Sequence, residues 1–382
     1  MPDDPNSAGA IDACHADKQL FHYLRLVLTT GVGPQTLARL LERFENAEAA
    51  LAASPSELCE CEGVGVGLAR RIRSSEYLER AALVIDECSQ RRIKIIAPWQ
   101  AEFPRLLKEI PDPPSVLYVR GQLLPVDAMS IAIVGTRGAT QYGRSQTQQL
   151  ARTLARAGLT IVSGLARGID ASAHQAALEV GGRTIAVLSN GVAEVYPPQH
   201  AELAEQIIAS GALLSEMPPG TKPKKGMFPQ RNRLISGLAL GTIVVEAADR
   251  SGALITARLA GEQGREVFAV PGLVTSAGSR GCHRLIRDGA HLIQSAADVL
   301  DELGPLVEGV SLTPETTIRH PVELQLNDQE SAVLRAIGTE PTDINAVVNA
   351  SGLPVPRVLS TVSVLEMRRL VRRISGQLVQ RV

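Results

Sequence analysis

The segment Thr221–Arg233, TKPKKGMFPQRNR, gathers three lysines, two arginines and one phenylalanine with no acid, in a chain whose formal net charge is −1. Cations hold phosphates, and an aromatic ring offers a face on which an unpaired base can stack, so this pairing has the chemistry of single-stranded nucleic-acid binding. The plainer reading is a solvated basic loop. Position favours the first reading, because the segment lies between stretches that read as parallel strands and near several glycine-bearing turns.

Two of those turns carry an arginine. The run IAIVGTRGATQYG puts Gly135, Thr136, Arg137 and Gly138 after an apolar strand. A dinucleotide fingerprint needs glycine where Arg137 stands, so NAD or FAD binding is disfavoured, while the guanidinium supplies a bidentate phosphate donor. The run IVSGLARGID offers the Ser163 hydroxyl, the Gly164 backbone and Arg167 just before a helix. Tight strand-to-helix geometry explains the glycines of either turn; it does not explain the two arginines.

Other chemistries lack their residues. No G-x-x-x-x-G-K-[ST] loop occurs, which argues against a P-loop ATPase. His174, His200, His283 and His291 lack metal spacing, and Cys59-x-Cys61 lacks the second pair a zinc site needs. No metal or cofactor is expected. Asp170 and His174 fall one helical turn apart without a nucleophile beside them, and Glu216 and Glu246 at strand ends carry an acid–base reading only weakly.

The elements that must position these residues follow from periodicity. Over 129–300, apolar runs at Ser130–Val134, Thr160–Val162, Thr184–Leu188, Leu213–Leu214, Thr242–Val245 and Glu266–Val270 alternate with helical patterns at Gln141–Ala157, Ala171–Val180, His200–Ser210, Arg231–Leu238 and Ala253–Gln263. Such alternation predicts a Rossmann-like doubly wound parallel sheet, in which ligands bind beyond the carboxyl ends of the strands. Residues 17–95 read as a helical domain with two like turns, Gly31-Val-Gly33 and Gly63-Val-Gly65, each opening a helix. Their form is that of a helix-hairpin-helix turn whose N–H groups meet phosphate; tight interhelical turns explain them equally well. Six prolines mark 97–125 as a connector into the sheet domain, which spans 96–303 with its connector over 96–128. Residues 304–325 read as a linker, and 326–382 as three helices and a hairpin, a winged-helix-like domain with six arginines against one glutamate in its last 27 residues. Residues 1–16 are small and polar, and are expected to be a disordered tail.

Composition agrees with these elements. Hydrophobic content of 45% and charged content of 21% are globular values, and aromatics make up only 3%, which sets Phe228 apart. The five cysteines are scattered and odd in number, as expected of reduced thiols in a cytoplasmic protein. No run approaches ~18 apolar residues, so no membrane span is expected.

The blocks IAIVGTRGATQYG, TIVSGLARGIDASAHQAAL, GGRTIAVLSNGVAEVYPPQH, LLSEMPPG, FPQRNRLISGLA, VVEAADRSGALITARLA and VFAVPG together resemble the DNA-processing protein A family, also called Smf. The N-terminal part is similar to the family's SAM-like domain, and the C-terminal part to the winged-helix-like domain of some members. The resemblance implies a non-enzymatic single-stranded DNA-binding recombination mediator that dimerises through its Rossmann-like domain. It further implies that the protein protects incoming DNA and loads RecA onto it during natural transformation. By motif, Arg137, Arg167 and Lys225 form the basic pocket, Arg231, Asn232 and Arg233 build or line it, Phe228 stacks on or wedges between bases, and Thr136, Ser163 and Gly164 donate to phosphate. Where the family commonly has glycine, this chain has Ser189. Two other readings compete: a Rossmann-like phosphoribohydrolase-type enzyme using Glu246 or Glu216, though no Pro-Gly-Gly-x-Gly-Thr loop is present, and a pure scaffold for partners.

Overall fold

The computed structural model describes residues 18–304, 310–313, 316–375 and 377–382. They fall into two compact units. One comprises the residues up to Leu123 with Gly164–Ala166 and Ile185–Leu238; the other comprises Leu124–Ser163, Arg167–Thr184 and Ala239–Val382. The expected tail 1–16, with Cys14, lies outside the described residues.

The first unit opens with short helices over 18–28, Pro34–Phe44, Ala47–Ala52, Pro55–Cys59, Val66–Ile72 and Glu76–Gln90. Two of them belong to an internal repeat. Gly31 and Gly63 turn the chain at φ 99° and 87°, a region closed to most side chains. Gly33 and Gly65 then open their helices with no side-chain cap. The repeats brace one another: Arg39 Nη1 donates to Glu62 O (3.1 Å), and Arg71 Nε donates to Thr30 O (2.8 Å). Each arginine thus ties down the carbonyl that precedes the other repeat's first glycine. Leu26, Leu40, Leu58 and Ile72 form a dry core beneath the pair.

The sheet strands are β1 Lys94–Ile96, β2 Leu117–Gly121, β3 Ser130–Val134, β4 Thr160–Ser163, β5 Thr184–Val187, β6 Ala212–Ser215, β7 Gly241–Val244, β8 Glu266–Ala269 and β9 His291–Leu292. Those of the first unit run in the order β1-β2-β6-β5, antiparallel at β1/β2 and β2/β6 and parallel at β5/β6. Those of the second run β4-β3-β7-β8-β9, parallel throughout. Strands β3 to β7 are buried along their whole length, which is why they read as continuous Val/Ile/Ala runs. With intervening helices at Gln141–Arg156, Ile169–Glu179, Ala201–Ser210, Met227–Leu238 and Ala253–Glu262, the fold is the expected Rossmann-like α/β class.

Three expectations are corrected. The proline-rich connector contains β2, which pairs antiparallel with β1 at the connector's start, because its prolines stand outside these short apolar runs. The helix expected from Arg231 begins at Met227, which moves Phe228 from a loop into a first helical turn. The presumed linker 304–325 carries the paired strands β10 Val310–Thr313 and β11 Thr316–Ile318 and a 3-10 turn, Pro321–Gln325. Val322 of that turn joins Leu154, Leu159, Val299, Val333 and Leu334 in one core, so the turn is part of the second unit's packing.

The C-terminal domain has helices Asp328–Ala336, Ile344–Ser351 and Val355–Met367. Its strands β12 Thr342–Asp343, β13 Val371–Ser375 and β14 Leu378–Arg381 run in the order β12-β14-β13, a winged helix. The described cysteines, Cys59, Cys61, Cys88 and Cys282, are free thiols.

Candidate nucleic-acid interface

Thr136, Arg137, Ser163 and Arg167 belong to the second unit, and Gly164, Lys225, Phe228, Arg231, Asn232 and Arg233 to the first. In the second unit the turn after β3 is pinned by two backbone bonds, Thr136 N to Glu246 O (2.8 Å) and Ile169 N to Thr136 O (3.3 Å). The second of these lays Thr136 and Arg137 against Gly168, so Arg137 and Arg167, both exposed, emerge from adjoining turns. The Thr136 hydroxyl accepts from Gly138 N (3.2 Å), a contact that does not consume its proton. Ser163 is different. It is fully buried and its hydroxyl donates to Ile133 O (2.6 Å), so the expected phosphate donor is a tie between β4 and β3.

In the first unit the basic segment is anchored at both ends. Gly191 N donates to Thr221 O (2.9 Å), fixing its start beside the turn after β5, and Met227 N donates to Lys224 O (3.0 Å), closing the turn into the helix. Between these anchors Lys222, Lys224 and Lys225 are exposed. Phe228 is half-buried, its ring 6.1 Å from that of Tyr196 at 56°. Asn232 is half-buried one helical turn further on.

The arginines of the RNR motif have other work. Arg231 is only 6% exposed and donates through Nη1 to Gly164 O (2.8 Å) and to Val187 O. It places a charged donor on two carbonyls at strand ends. A side chain on Gly164 would collide with this guanidinium, so Gly164 is a seat for Arg231. Arg233 is held between Asp112 (Nε to Oδ2, 3.1 Å) and Glu216 (Nη2 to Oε2, 2.6 Å), which leaves it no surplus charge. Both arginines are thus engaged by groups of the fold itself. Burial pushes the Glu216 carboxyl above the ordinary carboxylate range, with Arg233 opposing the shift.

Glu246 is also a strut. It is 4% exposed, and its carboxylate accepts from Thr140 N (2.9 Å) at the start of the Gln141–Arg156 helix. Gly143 and Gly278 press on that carboxylate so closely that neither position has room for a side chain. The two glutamates that an enzyme reading would need are therefore each built into the scaffold. Among the described residues no group of His, Cys, Asp or Glu is placed to hold a metal ion, and no helix is long and apolar enough to cross a membrane.

Sequence reasoning missed Tyr196 and Asp112. Tyr196 sits in VYPPQH, and an aromatic in a polar loop of so aromatic-poor a chain was the available signal. Asp112 carried none, because it meets Arg233 only across 121 residues of sequence.

Residues 94–304 match the family described as DNA recombination-mediator protein A, 319–377 the DprA winged helix domain, and 17–65 the DprA-like N-terminal HHH domain. Protein Smf of Synechocystis is 37% identical over 96% of this chain and all of its own length. The structure of DNA processing protein A from Streptococcus pneumoniae has a TM-score of 0.60 at 35% identity, covering 74% of this chain and 96% of that one. The Helicobacter pylori protein, studied for its single-stranded DNA binding mode, has a TM-score of 0.50 at 31% identity, covering 55% of this chain and 95% of that one. The chain thus belongs to the DNA recombination-mediator protein A family, also known as DprA or Smf.

Proposed function

We propose that this protein binds single-stranded DNA and acts as a recombination mediator, protecting incoming DNA and loading RecA onto it during natural transformation, without making or breaking a covalent bond. It works in the cytoplasm, as a homodimer formed through the Rossmann-like domain. Lys225 with its neighbouring lysines in the first unit, and Arg137 and Arg167 in the second, take phosphates; Phe228 stacks on a base; Thr136 and Asn232 add hydrogen bonds. The observation that carries the reading is the anchored segment 221–228, where three lysines stay exposed beside a half-buried ring while Arg231 and Arg233 of the same motif are spent inside. The folded protein keeps these lysines in water, and a phosphate chain would compensate their mutual repulsion.

Neutralising about four phosphates implies roughly fiftyfold weaker binding for a fourfold rise in salt. The test titrates labelled oligo-dT and a matching duplex against wild type and Lys225→Ala at two ionic strengths. Preferred binding of the single strand, weakened by the substitution, is expected. Equal affinity for duplex, or no effect of Lys225→Ala, would overturn the assignment. RecA loading is tested separately, by filament assembly on DNA coated with a single-strand-binding protein.

A further inference from the structure

Tyr142 lies in the second unit on the first turn of the Gln141–Arg156 helix, where its ring is 47% exposed. It does not swing freely, because its hydroxyl donates to Pro271 O at 2.6 Å. The ring edge comes within 3.9 Å of where a Cβ on Gly272 would be, and the Ser279 hydroxyl crowds the same point. Ser279 leads directly into Arg280, and Gly281 N is held by Ala247 O (2.8 Å) after β7. This places the ring near the start of the Arg280–Arg287 helix, which carries a small cationic cluster. Arg280 Nη1 lies 3.9 Å from Asp249 Oδ2, and Arg284 Nη2 donates to Asp249 O (3.3 Å). Arg250, also exposed, follows Asp249 in the chain. The turn bearing Arg137 is joined to the same helix start through Glu246, which binds Thr136 N with its carbonyl and Thr140 N with its carboxylate. Leu273 and Val274, 75% and 83% exposed, continue the apolar surface from the Pro271 end.

A fixed, half-exposed ring on a scaffold that also carries exposed arginines is the combination that stacks an unpaired base and holds neighbouring phosphates. We propose that Tyr142 is a second base platform, beyond the Phe228 segment, with Arg280 and its neighbours holding the adjoining phosphates of a single strand. The proposal rests on the single-strand-binding reading above. It makes the bound tract longer than the Lys225–Phe228 segment alone requires.

The test uses the full-length protein and an oligo-dT carrying 5-iododeoxyuridine, irradiated and then mapped by mass spectrometry, together with affinities for a short oligo-dT and one several times longer. A photoadduct on Tyr142 is expected in the wild type. Tyr142→Leu should weaken the long oligonucleotide by about fivefold or more and leave the short one unchanged, while Tyr142→Phe, which keeps the ring, should bind the long one nearly as wild type does. Arg280→Ala should lower the salt slope for the long oligonucleotide only. Should Tyr142→Leu fail to fold, the wild-type adduct still decides. Adducts confined to the Phe228 region, with Tyr142→Leu binding both lengths as wild type does, overturn the platform and leave the parent reading standing; the exposed apolar pair would then suit a protein partner. Failure of wild type to bind any oligo-dT overturns both.

Discussion

The guanidinium of Arg231 fills the space that a side chain on Gly164 would occupy, and it donates to the Gly164 carbonyl at 2.8 Å. A glycine from the turn after β4 and an arginine 67 residues later are therefore one structural device. The basic motif at the end of TKPKKGMFPQRNR has turned one of its charges inward to fix the helix that carries Phe228.

Gly164→Ala should accordingly destabilise the fold by about 1–3 kcal/mol through overpacking. Arg231→Ala should cost about as much or more, since two buried carbonyls lose a charged donor. Urea denaturation measures both. The two losses should be far from additive, because each change disrupts the same contact. A double variant whose cost equals the sum of the single costs would mean the residues act independently.

Charge at the interface separates in the same way. Lys225→Ala and Arg137→Ala should each reduce the slope of log affinity against log salt by about 0.7, one phosphate contact apiece. Arg233→Ala should leave that slope unchanged, because Asp112 and Glu216 already balance Arg233. Its effect should appear in stability, where Glu216 is left buried without its partner. Titrations at four salt concentrations distinguish the two classes. A slope that changes for Arg233→Ala but not for Lys225→Ala would reverse the assignment.

Most parallel strands were legible because burial on both faces erases alternation and leaves Val/Ile runs; the six expected in 129–300 all exist, while the two-residue β9 carries too little pattern to be read. Likewise the two Gly-Val-Gly turns announced a repeat. The antiparallel β1 and β2 were hidden, since three- and five-residue strands among prolines carry too little pattern. Cationic residue types were legible in the candidate segment, but their accessibility was not. Nothing local distinguishes Lys225, left in water, from Arg231, whose acceptors come from positions 164 and 187. Ser163 misled for the same reason: a hydroxyl at a strand end reads as a donor to ligand until the neighbouring strand's carbonyl claims it.

Glu216 gives a pH signature. Burial raises its folded-state value above the ordinary carboxylate range, with Arg233 pulling the other way. A raised acid binds its proton more tightly folded than unfolded, so its contribution to stability is full below the ordinary carboxylate range and is lost as pH rises through the raised value. Wild type should therefore lose stability relative to Glu216→Gln across that window. Urea midpoints of both proteins at several pH values would check this. The opposite slope would mean that Arg233 outweighs desolvation and holds the carboxylate charged.

Phe228 and Tyr196 test the aromatic half of the interface apart from the charges. Their rings lie 6.1 Å apart at 56°, a tilted pair that gives Phe228 a fixed backing while the segment before it stays open. Phe228→Ala should weaken oligo-dT binding by about 1–3 kcal/mol, the worth of one stacked base. Phe228→Leu should lose nearly as much affinity with a smaller loss of stability, because leucine restores apolar volume but offers no ring face. Neither change removes a cation, so the salt slope should match wild type while the affinity at every salt concentration falls by the same factor. A slope that flattens in Phe228→Leu would show that the ring acts by positioning Lys225, three residues earlier, and that no base stacks on it.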